Sequence, residues 1–188
     1  MSVLPRDRII DAVIACVDES GLGSFALEGV ADKAGCSRAT IYRHFPGGRD
    51  QLMAESVTRE VGRFWARLAE HVAAFDQLED RLLFGLIEAR RLIETDDRLQ
   101  RLVQSESDVF LPLLVASEQL VFEVLTGYLN TLLEGVTLRP GVNRSDAADY
   151  LARMFLSYVS TGGQWQLNNP EAVRRLIRTQ FLAGIVSA

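Results

Sequence analysis

Lysine, histidine and cysteine are scarce in this chain. Lys33 is the only lysine among 20 basic residues, and the sequence has two histidines and two cysteines. Cys16 and Cys36 are too few for the disulfide framework of a small secreted protein, so buried thiols in a reducing cytosol are favoured over redox sensing. His44 and His71 lie in no cysteine or carboxylate pattern, and we expect neither a metal site nor a cofactor.

Long uncharged segments and catalytic motifs are also missing. No uncharged run approaches the roughly 20 residues of a membrane-spanning helix, and Asp7, Arg8 and Asp11 interrupt any signal-peptide-like start. The sequence contains no Gly-x-Ser-x-Gly elbow, no phosphate-binding loop and no Cys/His metal spacing. We therefore expect a cytoplasmic protein that is not an enzyme and has no membrane partner.

What is present is a soluble, acidic composition with one basic stretch. The chain has 188 residues, is 48% hydrophobic and carries a net charge of −5. Residues 33–49 nevertheless contain five basic or imidazole side chains and no acidic one. Arginine, threonine and tyrosine at a helix start are groups that bind phosphates and base edges. Nucleic-acid binding is thus expected only from this local patch, with a strong dependence on salt.

The hydrophobic pattern predicts an all-α protein. Apolar residues recur at spacings of three and four, whereas strand-like alternation is missing. About nine helices are predicted, in a three-helix head over residues 1–48 and a larger helical body over residues 49–188.

Several helix boundaries are predicted from capping residues. Ser37 and Ser145 are suited to be N-caps, and Asn169-Pro170-Glu171 combines an N-cap, a first-turn proline and an acidic residue. The last helix is predicted to run to about Val186. Pro112 either lies in the first turn of its helix or kinks that helix.

The segment "LEGVADKAGCSRATIYRHF" has the pattern of a helix-turn-helix. Gly35 allows the turn, and the second helix of such a unit enters the major groove. An αα-hairpin with a solvated basic face has the same pattern. The apolar residues predicted to pack the unit are Leu27, Val30, Ala31, Ile41 and Phe45. The residues that remain available for DNA contacts are Ser37, Arg38, Ala39, Thr40, Tyr42, Arg43 and His44.

Residues 9–52, with "AG-x-SRATIYRHFP" nearly intact, resemble the DNA-binding domain of the TetR family of bacterial transcriptional regulators. Two positions depart from the family pattern. Ala26 stands where members often have a phosphate-binding threonine, and Gly48 stands where many have a lysine. Arg49 is the nearest basic substitute, and it is interpreted either as a phosphate contact or as a solvated residue at a helix start.

Chemistry and the resemblance together suggest roles in the head. Arg38 and Thr40, early on the second helix, are candidates for base contacts. The Ser37 side chain caps its own helix, and its backbone N–H is available to phosphate. The remaining predicted DNA contacts are Tyr42 and His44 to the backbone, Arg43 to a phosphate or a base, and Lys33 at longer range.

The resemblance implies that the central helices form a ligand cavity and that the last two helices pair with a second subunit. Ordinary core packing is the alternative for both sets of residues. The predicted cavity residues are Phe64, Trp65, Leu68, Leu83, Phe84, Ile87, Phe110, Leu114, Phe122 and Tyr128. The predicted interface residues are Leu151, Met154, Phe155, Tyr158, Val173, Ile177, Phe181 and Ile185.

The function favoured by these observations is that of a ligand-responsive, homodimeric DNA-binding repressor. Its expected partners are operator DNA, a second copy of the chain and an unknown small hydrophobic or amphipathic effector. Two alternatives remain at this point. One is a helical small-molecule carrier or enzyme with an incidental basic hairpin, and the other is a protein-binding adaptor.

Overall fold

The computed structural model describes residues 5–161 and 163–187, and within them the chain is helical. The only extended pairing there is an isolated bridge between Leu138 and Val186. The all-α prediction is confirmed. The helices are α1 (Pro5–Ser20), α2 (Leu27–Ala34), α3 (Arg38–His44), α4 (Gly48–Val72), α5 (Leu78–Thr95), α6 (Asp97–Ser105), α7 (Ser107–Leu132), α8 (Arg144–Ser160) and α9 (Pro170–Leu176), which a π-helical turn (Ile177–Leu182) continues.

The helices form two compact units. Unit 1 comprises the described residues of Met1–Gly62 and Asp97–Glu118, and unit 2 those of Arg63–Asp96 and Gln119–Ala188. Both α4 and α7 contribute residues to each unit. The boundary expected after residue 48 divides the chain by function rather than by packing, and it stays a prediction.

The core of unit 1 positions α3. Ile41 of α3 and Phe45, which directly follows α3, are fully buried in a cluster that includes Ile9 of α1 and Val30 of α2. Between α2 and α3, Gly35 adopts a left-handed backbone conformation (φ 61°), and its N–H bonds to the carbonyls that end α2. The chain therefore turns sharply before α3 begins.

Unit 2 has its own core, which is built mainly on α5, α8 and α9. Leu83 and Leu86 of α5 are fully buried with Leu151 of α8 and Leu176 of α9. Such burial contributes about 1.5–3 kcal/mol for each large apolar side chain. This cluster joins the last two helices of the chain to α5.

An ion-pair cluster adds to the contact between α5 and α9. Arg174 lies 2.8 Å from Glu79 and 2.9 Å from Asp80, and Arg178 lies 2.9 Å from Glu79. Burial by itself raises the pKa of the Glu79 carboxyl, but hydrogen bonds from Arg178 and Arg174 outweigh it, and the pKa is lowered from its ordinary value of 4.5. Glu79 therefore remains ionised in the folded protein.

Two of the three capping predictions agree with the structure, and the third is wrong. The Ser37 hydroxyl accepts from the N–H of Thr40 at 3.2 Å, and Asn169 caps α9. The N-cap of α8 is Asn143, whose side-chain oxygen accepts from the N–H of Asp146 at 2.8 Å. Ser145 instead lies inside the first turn, because asparagine competes equally well for the capping position.

Pro112 lies inside α7, beyond its first turn, which removes one of its two predicted placements. The predicted end of the last helix needs correction. The last α-helix ends at Leu176 and becomes a π-helical turn that ends at Leu182, short of the predicted Val186. The backbone of Val186 instead pairs with Leu138, so the segment after the turn is used for an interaction that helical periodicity does not encode.

Helix α7 is long and apolar enough to cross a membrane by length and composition alone. Core helices of soluble proteins meet the same criterion. Leu111, Val115, Leu120 and Val124 of this helix are exposed in the single chain. Hydropathy by itself therefore does not assign α7 to a bilayer.

Candidate nucleic-acid interface

The helix-turn-helix presents one short helix whose apolar side is buried and whose polar side is exposed. Ile41 and Phe45 hold α3 in the core, while most of the predicted DNA contacts stay accessible. The side chains of Ser37, Arg38, Ala39, Tyr42 and Arg43 are exposed, and those of Thr40 and His44 are partly buried. The structure thus exposes Ser37 and Arg38 at the N-terminus of α3, and Tyr42 and Arg43 towards its C-terminal end.

The C-terminal end of α3 is held by Arg6 of α1. The Arg6 guanidinium donates to the carbonyl of His44 at 2.9 Å, lies 4.5 Å from the centre of the Phe45 ring and pairs with Glu55 of α4. Charge-assisted hydrogen bonds and cation–π contacts of this kind hold a short helix that would be marginal alone. The orientation of α3 is therefore set by α1 and α4 together.

His44 is placed differently from the other predicted contacts. Its Nε2 atom is buried and has no hydrogen-bond partner. That nitrogen is directed into the protein rather than towards solvent. The role of His44 at the DNA backbone stays a prediction, and its buried nitrogen offers no phosphate contact in this conformation.

Two basic side chains of the stretch have acidic partners. Lys33 lies 2.7 Å from Glu19 of α1, and this hydrogen bond raises the pKa of the Lys33 ammonium. Arg38 lies 2.5 Å from Glu28 of α2. The sequence of residues 33–49 gives no sign of either carboxylate, because both lie outside this segment.

Arg49 is turned inward. Its guanidinium donates to the carbonyls of Leu22 at 2.9 Å, Gly23 at 2.8 Å and Phe25 at 3.2 Å, and it lies 4.5 Å from the centre of the Phe25 ring. It therefore braces the loop between α1 and α2. A phosphate contact by Arg49 stays a prediction, and the structural interaction explains why arginine stands there.

The same loop is held by a residue that sequence reasoning missed. The Glu106 carboxylate, between α6 and α7, accepts from the N–H of Gly23 at 2.8 Å. It also lies close to Gly21, whose backbone is left-handed (φ 88°), where a side chain would be strained and would meet the carboxylate. No local motif marks Glu106, because its partner is 83 residues away along the chain.

The ten predicted cavity residues are divided between the two units. Phe110 and Leu114 belong to the core cluster of unit 1, whereas most of the others pack in or against the core of unit 2. The first part of α7 packs in unit 1, and a cavity lined by all ten residues stays a prediction. In unit 2 lie Phe64, Trp65, Leu68, Leu83, Phe84, Ile87, Phe122 and Tyr128.

Within unit 2 the aromatic residues lie at the edge of the core. Trp65 contacts Phe64 edge-on at 5.3 Å between ring centres and Phe155 at 6.1 Å. Phe84 stacks on Phe75 at 4.2 Å. Leu68 and Leu83 are buried and have little free surface, while Trp65, Phe84, Ile87 and Phe122 are partly buried. The partly buried group is the portion of the prediction that retains surface for a ligand.

A separate open cleft of about 490 Å³ lies around the loop that precedes α9. None of the ten predicted residues lines it. Its wall includes the Trp165 ring, with the Arg175 guanidinium 5.3 Å from the ring centre. The lining residues are Gln164, Trp165, Gln166, Asn169, Glu171, Ala172 and Arg175.

The predicted subunit interface is mostly buried inside the single chain. Met154 and Tyr158 keep partial exposure, whereas the other six side chains belong to the core of unit 2. Of the eight predicted residues, Met154 and Tyr158 therefore retain surface for a partner, and the interface stays a prediction. The buried six are Leu151, Phe155, Val173, Ile177, Phe181 and Ile185.

Comparison with known proteins agrees with the geometry of the head. Residues 9–55 match the family model for bacterial regulatory proteins of the tetR family. The uncharacterized HTH-type transcriptional regulator Rv1255c of Mycobacterium tuberculosis (strain ATCC 25618 / H37Rv) is 26% identical over 98% of this chain and 86% of its own length. The TetR-family match therefore covers the DNA-binding head of the chain, residues 9–55. The resemblance seen in the sequence is confirmed.

Solved structures of TetR-family proteins share the fold over nearly the whole chain. The repressor QsdR of R. erythropolis superimposes with a TM-score of 0.65 at 20% identity, over 98% of this chain and 96% of QsdR. FadR of Bacillus subtilis, solved with stearoyl-CoA, has a TM-score of 0.53 at 19% identity, over 95% of this chain and 98% of FadR. The chain therefore has the fold of these proteins, with the helical head and helical body expected from its sequence.

Proposed function

We propose that this protein is a cytoplasmic, homodimeric TetR-family repressor that releases its operator when a hydrophobic or amphipathic small molecule binds unit 2. The observation that carries the DNA-binding part is the exposure of Arg38, Tyr42 and Arg43 on α3 in an otherwise acidic chain. A cationic surface on one helix attracts the phosphate backbone, and the N-terminal residues of that helix reach base edges.

The test of DNA binding is a pair of truncations on α3. Arg38→Ala and Tyr42→Ala should each weaken operator binding by about 1–3 kcal/mol, because each removes an exposed group without opening the core. Arg67→Ala, an exposed arginine of α4 in unit 2, serves as a charge-matched control. Unchanged operator affinity in both α3 variants, with normal helical content, would contradict the assignment of α3 as the DNA-binding helix.

The proposed ligand class rests on the apolar character of the partly buried aromatic group in unit 2. Trp65 and Phe84 offer apolar ring surface, and the Arg153 guanidinium lies 4.5 Å from the centre of the Phe122 ring. Ligand sites are lined mainly by apolar and aromatic side chains with a few polar groups. The structurally similar FadR was solved with stearoyl-CoA, an amphipathic molecule with a long acyl chain. Long-chain acyl-CoA is therefore the first probe for this chain.

The ligand experiment uses Trp65 fluorescence. The chain has two tryptophans, so Trp165→Phe makes Trp65 the sole reporter. A ligand that lowers DNA affinity tenfold needs a preference of about 1.4 kcal/mol for the released state. By linkage, operator DNA must weaken ligand binding by the same factor. Equal ligand affinities with and without operator would refute the switch.

The homodimer is proposed on exposed positions of the last two helices. A single head reads a short site, whereas two heads spaced about 34–36 Å apart meet successive major grooves. Tyr150 and Ser157 of α8 and Thr179 and Ala183 in and after the π-helical turn are exposed in the single chain. Sedimentation of the parent protein tests the proposal, and a monomer at micromolar concentration would contradict it.

A further inference from the structure

The two helices of the helix-turn-helix are joined on their exposed side by one ion pair. The carboxylate of Glu28, in the first turn of α2, lies 2.5 Å from the Nη1 atom of Arg38, the first residue of α3. Both side chains are more than half exposed, at 60% and 55%. The pair is therefore available to DNA rather than buried as a structural bridge.

Exposed ion pairs of this kind contribute little to folding stability. The contact between α2 and α3 is already made by buried Val30 and Ile41, both fully inaccessible. An acidic residue on a DNA-facing surface also opposes binding to phosphates. Glu28 favours the N-terminus of α2 as an acidic first-turn residue, but that role does not require Arg38. The ion pair itself adds little stability, and the carboxylate disfavours binding to DNA in general.

We propose that Glu28 is a positioning residue that sets the sequence specificity of Arg38, an inference that rests on the proposed DNA-binding function. A guanidinium has five N–H donors in a planar fork. Glu28 occupies one edge of the Arg38 fork and leaves other donors for a base. The side chain is then oriented before DNA arrives, so less conformational freedom is lost when it contacts the two acceptors of a guanine.

The same carboxylate discriminates against DNA that offers Arg38 only phosphate. To reach a phosphate with its whole fork, Arg38 must leave Glu28, and the unpaired carboxylate then faces the negative backbone. Specificity is the difference between two affinities, and repulsion of the wrong partner raises it as effectively as attraction of the right one. Glu28 is therefore expected to weaken non-specific binding more than operator binding.

The chain supplies a matched control. Glu19 of α1 pairs with Lys33 at 2.7 Å. It is therefore also an exposed carboxylate next to a basic side chain of residues 33–49. Lys33 lies in the last turn of α2, whereas Arg38 begins α3. Glu19→Gln removes the same charge as Glu28→Gln, but it releases no side chain at the N-terminus of α3.

The experiment measures two affinities for each protein. The full chain selects binding sites from random DNA, and dissociation constants are then measured for the selected duplex and for a scrambled duplex of equal composition. Glu28→Gln should tighten binding to the scrambled duplex and lower the specificity ratio by about threefold to tenfold. Glu19→Gln should change both affinities by the same factor. Thermal melting monitored by circular dichroism verifies that each variant is folded.

A second arm isolates the dependence on Arg38. In an Arg38→Ala background, Glu28→Gln should leave the ratio unchanged, because no guanidinium remains to be positioned. The inference is overturned if Glu28→Gln alone has the wild-type specificity ratio. It is also overturned if Glu28→Gln lowers that ratio equally in the Arg38→Ala background. Neither result affects the proposal that the protein binds DNA. A wild-type chain that selects no sequence overturns the proposed function itself.

Discussion

Replacing Arg49 tests how the head is stabilised, because its guanidinium holds the loop between α1 and α2. Arg49→Ala removes three hydrogen bonds to the carbonyls of Leu22, Gly23 and Phe25 and a stacking contact on the Phe25 ring. Leu22 and Phe25 are 4% and 2% exposed, whereas Gly23 is exposed. Water therefore replaces the lost donor more easily at Gly23.

The expected loss of stability in Arg49→Ala depends on how buried each hydrogen bond is. The two bonds to buried residues are worth about 1 kcal/mol each after discounting for the partly exposed guanidinium, and the bond to Gly23 is worth little. The cation–π contact adds about 0.5–1 kcal/mol. Arg49→Ala should therefore lower the free energy of unfolding by about 2–3 kcal/mol. Arg49→Lys should recover little of this loss, since a single ammonium cannot span the carbonyls and stack as the planar guanidinium does.

Urea unfolding followed by circular dichroism measures the loss, and operator binding is measured on the same proteins. Destabilisation in both variants supports the brace. If Arg49→Ala lowers the free energy of unfolding by less than about 0.5 kcal/mol, the range of an ordinary surface substitution, Arg49 does not stabilise the loop. Retained stability with weakened operator binding would instead make Arg49 a phosphate ligand.

Three further predictions concern capping, the core and pH. Ser37→Ala should cost about 1 kcal/mol in urea unfolding because the Thr40 N–H loses its acceptor; an unchanged midpoint would contradict this. Phe181→Glu should unfold unit 2 because its ring is buried, whereas Ala183→Glu should leave the circular dichroism spectrum intact and dissociate the proposed dimer in sedimentation; folded Phe181→Glu protein would refute the burial argument. The pKa of Glu79 is lowered on folding by Arg178 and Arg174, although burial opposes them, so its stabilisation is present above pH 4.5 and is lost as the pH falls below that value. The stability gap between wild type and Glu79→Gln should narrow over that acidic range, and a constant gap would show that ionisation of Glu79 is not involved.

The sequence by itself determined the helix-turn-helix. Gly35 breaks α2 because only glycine adopts its left-handed backbone without strain, and Ser37 begins α3 because its hydroxyl accepts a backbone hydrogen bond three residues on. Apolar spacing placed Ile41 and Phe45 inside. These signals act over a few residues, so they are readable without knowledge of the rest of the chain. The family resemblance depends on the same local segment.

Only the tertiary structure decided which surface covers each apolar stripe and where the long polar side chains end. Periodicity gives the apolar side of α8 and α9 but not its partner, and Leu151 and Phe181 proved to be core of their own chain. Arg49 turned towards carbonyls more than 20 residues earlier, and Arg38 turned towards Glu28. The reason is that a flexible side chain takes the partner that folding brings within reach, and that partner is set by contacts distant in sequence.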